Sequence, residues 1–533
     1  MLYKEDKVNQ LIALMNEYDV ENVVLCPGSR NAVLVNNIVE SGMFKCYPVT
    51  DERSAGFFAL GLSLDCGLTA IVVTSGSALL NVAPAVVEAY YQHVPLIVIS
   101  ADRPQEDIDQ NVGQTMRQYG ALSNCVCRSV NLTDAMGDNM YYHNRLINEA
   151  LFEMEEHEAP VHINVPLPEP SECKTAEKVN FNPGYFFEDM RPSCDARGLD
   201  YFFDEFFRSR RPMIVIGQDY ASNLWQINLE ELKKHVVVLS EPLSDYNSRP
   251  YEGIISSMPD SMLPSLIIYV GGNTVCRSMY KRFAASRGLR VWRVGCSGDF
   301  ASPFKHLDGV IRCSTNLFFD LLSNYIKRRK RENKSSFYKE WQQAFAKEQE
   351  RLDSINEDEL TAATTVKYFE EQLEDIDEYF VFYGNSTPVR LACQYARNHS
   401  VYCNRGINGI DGCVSTAAGF SALGFGTVFC VVGDLSFFYD QNALWNSNLG
   451  GSLRIILLND HHGGIFDKVK GLENCKERDR YIAGKHKADA RGICTQNDVG
   501  YLSAKTVEEM HIGIVTLLTA ESERPMVLEV ELN

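Results

Sequence analysis

CVVGDLSFFYDQNALWN, residues 430–446, and RIILLNDHHGGIF, residues 454–466, are two apolar runs that each break abruptly into a polar, glycine-bearing loop. In the first, the run ends in Gly433-Asp434, and Leu435-Ser436 lead into a helical pattern. Glycine lets a backbone approach an anion closely, and the free N–H groups of a helix start favour phosphate. An aspartate at that point can hold a divalent cation bridging to the phosphates, although an isolated Asp there more commonly serves as a helix cap. The second loop changes the balance. Asp460 follows Asp434 by 26 positions, the length of one helix plus one strand, so both loops leave the same edge of a sheet. Two hard oxygen ligands then converge. His461 and His462 are neighbours on a turn, with no third histidine or cysteine close in sequence. Adjacent turn residues seldom chelate one ion, so the pair reads as half of a magnesium–diphosphate clamp rather than a soft-metal site.

The surrounding pattern is that of strands alternating with helices. The runs NVVLCPG (22–28), AIVVTSG (70–76), PLIVISADRP (95–104), MIVIGQ (213–218), HVVVLSE (235–241) and LIIYVGG (266–272) are each bounded by turn residues. The series resumes with YFVFYGNS (379–386), TVFCVVGD (427–434), LRIILLND (453–460) and MVLEVEL (526–532). Apolar runs without polar alternation, spaced by helices, mark parallel strands covered on both faces. The expected class is therefore α/β, with doubly wound parallel sheets. Pro166, Pro168 and Pro170 end a strand in VHINVPLPEPSE (161–172), and the basic segment IKRRKRENKSS (326–336) reads as a solvated helix end and linker. These breaks predict three domains, 1–185, 190–335 and 345–533. The middle one offers fewer charged loop ends and is expected to contribute less chemistry.

Composition limits the function further. A chain of 533 residues with 45% hydrophobic content can bury several cores, and about 150 residues per domain allows three or four domains. A net charge of −19 argues against nucleic-acid partners, which need a basic surface. No run of about 18 apolar residues offers a membrane span. The first two dozen residues lack the apolar core of a signal peptide, and the 16 cysteines are scattered without a CxxC pair. Free thiols in a reducing cytoplasm are expected.

The paired loops resemble the thiamine-diphosphate (ThDP) enzyme superfamily, in which a Gly-Asp motif and a later Asn-Asn-x-Gly loop hold Mg²⁺ and the cofactor diphosphate. The resemblance implies Asp434 as one metal ligand, Asp460 as the second and the backbone carbonyl of His462 as a third, with Mn²⁺ as the alternative ion. Gly433, Leu435, Ser436 and Ile465 then line the cofactor. This chain reads Asn459-Asp460-His461-His462-Gly463, so Asp460 stands where the superfamily usually has Asn. The superfamily also places a glutamate against N1′ of the aminopyrimidine. YPVTDERSAGFFALGLSL (47–64) supplies Glu52 before a small-residue helix. The implied domains are pyrimidine-binding, central and diphosphate-binding, in that order.

Closer similarity lies in PGSRNA (27–32), TDERSAGFFALGLS (50–63), ISADRP (99–104), QNVGQTMRQYGAL (110–122), YGNSTPVR (383–390), NRGINGIDGCVSTAAG (404–419) and GDLSFFYDQNAL (433–444). These blocks resemble the 2-succinyl-5-enolpyruvyl-6-hydroxy-3-cyclohexene-1-carboxylate (SEPHCHC) synthases of menaquinone biosynthesis. That family decarboxylates 2-oxoglutarate and adds the resulting unit to isochorismate by a 1,4-addition. Such substrates bring several carboxylates, which bidentate guanidinium groups bind well. Arg30, Arg103, Arg117, Arg390 and Arg405 all stand at loop ends within these blocks, although a lone loop arginine is more often a surface ion pair. Ser29, Gln114 and Ser386 fit as neutral partners, and Arg277 as a contribution from the middle domain. Arg390 and Arg405 are expected to grip the 2-oxoglutarate unit, and Ser29, Arg30 and Arg277 the isochorismate. The resemblance places Ile410 beneath the cofactor, a role compatible with ordinary packing. Phe466 either faces cofactor and acceptor or packs in the core. The superfamily builds each site from two subunits, so a homodimer or homotetramer is implied. The rival readings are a different ThDP-dependent lyase or carboligase, and a non-catalytic homologue with an altered metal loop.

Overall fold

The computed structural model describes residues 1–64, 67–136, 138–184, 197–219, 226–296, 300–329 and 335–532. The first expected domain boundary, between 185 and 190, lies outside these residues, as do positions 330–334 of the second. Three parallel sheets organise the chain. The first contains strands Val20–Leu25, Lys45–Pro48, Leu68–Val73, Ile97–Asp102, Arg128–Asn131 and Val161–Pro166. The second contains Pro212–Ile216, Val237–Leu239, Leu266–Val270, Arg290–Val294 and Leu307–Ile311. The third contains Tyr379–Tyr383, Val401–Tyr402, Thr427–Gly433, Leu453–Asn459, Gly500–Ala504 and Met526–Glu531. Counted along the chain within each sheet, the first and third share the order 2-1-3-4-6-5, and the middle sheet runs 2-1-3-4-5. The outer sheets are thus the same fold twice.

Every strand expected from an apolar run is present. Those the sequence concealed are mostly edge strands: Arg128–Asn131, Leu307–Ile311, Val401–Tyr402 and Gly500–Ala504. An edge strand has one neighbour and more solvent, so its apolar run is broken and the strand signal weakens. Arg290–Val294 is internal but carries two arginines, and the buried Arg293 donates to the Gly271 carbonyl at 2.5 Å.

Alternate residues of the outer strands face two different cores. Val23, Val72 and Ile99 pack with the helices Asp6–Glu17 and Asn139–His157, whereas Val24, Ile71 and Val98 face the third sheet. Between the two sheets lie helices Glu52–Ser63 and Cys413–Ser421. Ser54–Leu62 and all of Cys413–Ser421 are buried, as suits helices rich in small and apolar residues with no polar face. Glycines let the two approach backbone to backbone. A Cβ on Gly61 would lie 2.0 Å from the Thr416 carbonyl oxygen, and one on Gly419 would lie 2.0 Å from that of Phe58.

Polar groups lock one end of this seam. Ser54 and Ser415 share a hydroxyl hydrogen bond of 2.8 Å, and the buried Asp440 accepts from the Ser415 amide at 2.7 Å and its hydroxyl at 2.8 Å. Arg53 donates to the Tyr439 carbonyl at 2.7 Å, and Asn442 donates to Asp51 at 2.6 Å. Among the described residues no cysteine forms a disulfide, and no helix is long and apolar enough to cross a membrane.

Gly419→Ala is expected to lower the unfolding free energy by about 3 kcal/mol or more, because the added methyl meets backbone that cannot rotate away. Gly492→Ala, where nothing lies within 4 Å of the added carbon, is the control, with urea denaturation as the measurement. Burial pushes the Asp440 carboxyl up to about 7, against the pull of the Ser415 donors. A raised folded-state pKa means that its stabilising contribution is complete below the unfolded value of about 3.9 and fades as pH rises through 7. Asp440→Asn should therefore flatten the decline of stability between pH 4 and 7, by up to about 1.4 kcal/mol per pH unit. Denaturation series at several pH values read this directly.

Candidate active site

Strands Thr427–Gly433 and Leu453–Asn459 are adjacent and parallel, with Gly433 opposite Leu458. Asp434 and Asp460 consequently leave the same carboxyl edge, as their spacing implied. Asp434 opens the helix Asp434–Tyr439 and is buried, and its Oδ2 accepts from His486 Nε2 at 3.0 Å. Burial raises its carboxyl to about 7, and the neighbouring Asp460 carboxylate adds to the rise. The buried Asp434 carboxylate and the half-buried Asp460 carboxylate beside it form a donor set whose repulsion a divalent cation relieves, so these residues fit a hard metal ion. The His462 carbonyl takes the Gly464 N–H at 3.0 Å and has a second lone pair to offer.

The histidine rings do other work. His462 Nδ1 lies 2.8 Å from the Asp460 carbonyl oxygen and its Nε2 lies 2.8 Å from Asp467. Burial lowers its affinity for a proton, but the Asp467 and Asp460 contacts outweigh that and raise its pKa. Among the described residues no group of three or more His, Cys, Asp and Glu side chains is arranged to hold a metal ion. His486 was not foreseen. It sits in a polar loop with no periodicity or motif to mark it.

The short helix also reaches the Ile410 turn, because the buried Ser436 hydroxyl donates to the Ile410 carbonyl. Ile410 is 42% exposed, so within one chain its side chain is not core. Leu435 is half-buried beside this helix start, and Ile465 and Phe466 are half-buried in the turn Gly464–Lys468. Glu52 is the first residue of the helix Glu52–Ser63, whose free N–H groups at Arg53 and Ser54 are capped by Asp51 at 2.9 and 3.3 Å. Its carboxylate accepts from Asn81 at 3.1 Å. Within the chain Glu52 bonds Asn81, while Asp434 bonds His486.

The arginines separate into two groups. Arg30 is buried in the first sheet's loops, donating to the Leu167 carbonyl at 3.0 Å and pairing with Glu169. Arg103 reaches the same Glu169 oxygen at 3.1 Å. Ser29 and Gln114 are exposed nearby in sequence, and Gln114 has a φ of 57°. Arg117 is a surface residue pairing with Asp109 at 2.7 Å, the ordinary role of a loop arginine. The second group lies where the middle and third sheets meet. Arg390 pairs with Glu252 at 3.3 Å, and the buried Arg405 donates to Asn385 at 2.9 Å and to the Thr274 carbonyl at 3.2 Å. Ser386, with a φ of 76°, precedes the helix Thr387–Tyr395 beside them. Arg277 opens the exposed start of helix Arg277–Ala284, three positions after Thr274, in the chain segment that touches Arg405. The middle sheet's loop thus has a larger share in the site than its sequence indicated. Glu169 and Asn385 hold arginines on each side; Asn385 belongs to the block 383–390, whereas Glu169 lies outside every motif block.

The model of the thiamine pyrophosphate enzyme N-terminal TPP-binding domain matches residues 7–121. The chain is 34% identical to the SEPHCHC synthase of Phocaeicola vulgatus over 550 residues, covering 99% of this chain and 96% of the relative. It is 34% identical to that of Bacteroides thetaiotaomicron, covering 100% of this chain and 97% of the relative, and 35% identical to that of Bacteroides fragilis with the same coverage. The crystal structure of benzoylformate decarboxylase from Polynucleobacter necessarius aligns with a TM-score of 0.72 at 14% identity, over 100% of this chain and 99% of that one, a likeness of fold. The two loops at one sheet edge, the glutamate at the half-exposed start of an otherwise buried helix and full-length similarity at this level agree, and the chain belongs to the SEPHCHC synthase family of ThDP-dependent enzymes.

Proposed function

We propose that the chain decarboxylates 2-oxoglutarate and joins the resulting four-carbon unit to the ring alkene of isochorismate, with ThDP and Mg²⁺ (or Mn²⁺) as cofactors. The observation that carries the substrate assignment is the presence of two arginine groups, Arg30 with Arg103 and Arg390 with Arg405, inside a chain of net charge −19. Poly-carboxylate substrates need such cations, and small neutral ones do not. ThDP supplies the electron sink that stabilises the carbanion left by loss of CO₂.

The chain's own residues bind and orient. Asp434, Asp460 and the His462 carbonyl would hold the metal, and Gly433, Leu435, Ser436 and Ile465 would line the diphosphate side. Glu52 would hold the pyrimidine N1′ proton, and Ile410 would pack against the cofactor. Arg390, Arg405 and Ser386 take the 2-oxoglutarate carboxylates. Ser29, Arg30 and Arg277 grip the isochorismate, Arg103, Gln114 and Arg117 supply further contacts to the substrate carboxylates, and Phe466 lies against the cofactor or acceptor. As the superfamily resemblance implies, the site is completed between two subunits of a homodimer or homotetramer. The domains are 1–185, 190–335 and 345–533, and the enzyme acts in the cytoplasm.

Incubation with ThDP, Mg²⁺, 2-oxoglutarate and isochorismate should consume isochorismate and release CO₂ together. Glu52→Gln should slow turnover by about a hundredfold or more, the usual scale for losing a positioned proton-transfer group. CO₂ release without isochorismate loss would instead indicate a plain decarboxylase, and absence of cofactor binding a non-catalytic homologue. Asp460→Asn removes a negative charge beside the diphosphate, so calorimetry should find cofactor affinity equal or tighter. Abolished binding would mean that the metal loop has been misplaced.

A further inference from the structure

The turn 403–410, which carries both Arg405 and Ile410, is gripped from three sheets. From the middle sheet, Gln218 donates to the Cys403 carbonyl at 2.8 Å, and Asn273 donates to those of Arg405 and Gly406 at 2.8 and 3.0 Å. From the third sheet, Asn385 donates to the carbonyls of Asn404 at 2.5 Å and Gly409 at 2.7 Å. All of these contacts satisfy carbonyl oxygens. Two N–H groups of the turn go elsewhere, to a carboxylate of the first sheet's domain. Gly406 N donates to Glu88 Oε1 at 2.6 Å and Ile407 N to Glu88 Oε2 at 2.9 Å.

Glu88 lies in helix Ala83–Gln92 and is 1% exposed. Its other donor is the Gln92 amide, 2.6 Å from Oε1. Successive backbone N–H groups cupped around an anion make a strong, directional clamp. The turn also rests directly on the helix, since a Cβ on residue 406 would fall 2.5 Å from the Glu88 carbonyl oxygen. Burial alone pushes the Glu88 carboxyl upward, and the two amides and Gln92 draw it back toward ionisation.

We propose that Glu88 is a positioning residue: through Gly406 and Ile407 it sets the turn that presents Arg405 to the substrate carboxylate and Ile410 to the cofactor. This rests on the roles given above to Arg405 and Ile410. A glutamine at this position has one acceptor oxygen and turns an NH₂ group toward the other backbone N–H. One buried amide then loses its partner without any change of side-chain volume.

The test is Glu88→Gln in the full-length chain, read in two ways. Hydrogen exchange of cofactor-free protein should accelerate about tenfold or more in 404–410, while 413–421 keeps its protection. With ThDP and Mg²⁺ bound, KM for 2-oxoglutarate should rise about tenfold, with a smaller change in kcat. If Glu88→Gln does not fold, Gln92→Ala, which removes the third donor to Glu88 and a long 3.4 Å contact from Gln218, should shift both readings in the same direction by a smaller factor. Unchanged exchange at 404–410 overturns the proposal. So does faster exchange spread across 52–63 and 413–421 with KM unaltered in the folded fraction, the outcome of a purely structural contact. If the wild-type chain turns over neither substrate, the functional reading fails, and the exchange comparison still decides whether Glu88 sets the turn.

Discussion

Two buried helices, Glu52–Ser63 and Cys413–Ser421, cross with glycine against backbone at Gly61 and Gly419, and the first and third sheets share one core because of it. An interface made of main chain has little slack. Side chains can change rotamer to absorb a displacement, whereas carbonyl oxygens two glycines apart cannot. The helix starts are the parts that matter for chemistry. One begins at Glu52, and the other follows directly on the turn that carries Arg405 and Ile410. Asp51, Arg53 and Ser54 are bonded across the seam to Asn442, Tyr439 and Ser415, so the glutamate is fixed by the domain opposite its own.

Charge follows a comparable logic. The chain is strongly acidic overall, yet Arg30 and Arg405 are almost fully buried. Carbonyls, an amide oxygen or a carboxylate replace the water each has lost: Leu167 and Glu169 for Arg30, Thr274 and Asn385 for Arg405. At the other pole, Asp434 and Asp460 crowd one sheet edge, with His486 and His462 as their polar neighbours. Like charges placed close together repel unless a cation shares the space, so the donor set at this edge fits a metal ion.

The sequence was most legible where one residue type has one physical role. Apolar runs ending in glycine and aspartate located the central strands, and the 26-residue spacing placed two loops on one edge. It was least legible where the signal is a partner rather than a pattern. Glu88, Glu169 and His486 lie outside the motif blocks, yet each holds a group the motifs do contain. Arg117 shows the reverse case: it stands in a motif block, but within the chain it makes an exposed ion pair with Asp109.

Local sequence therefore determined the class of fold, the order of its strand–loop–helix units and the two aspartates at one sheet edge, because periodicity and spacing act over a few tens of residues. Only the tertiary structure decided that the outer sheets repeat one topology, that the arginines divide into two groups, and that the 403–410 turn is held by all three sheets. The last of these depends on contacts between residues far apart in the chain, such as Glu88 with Gly406 at a separation of 318. No local pattern encodes such a pairing, since it arises only when two buried surfaces fit together.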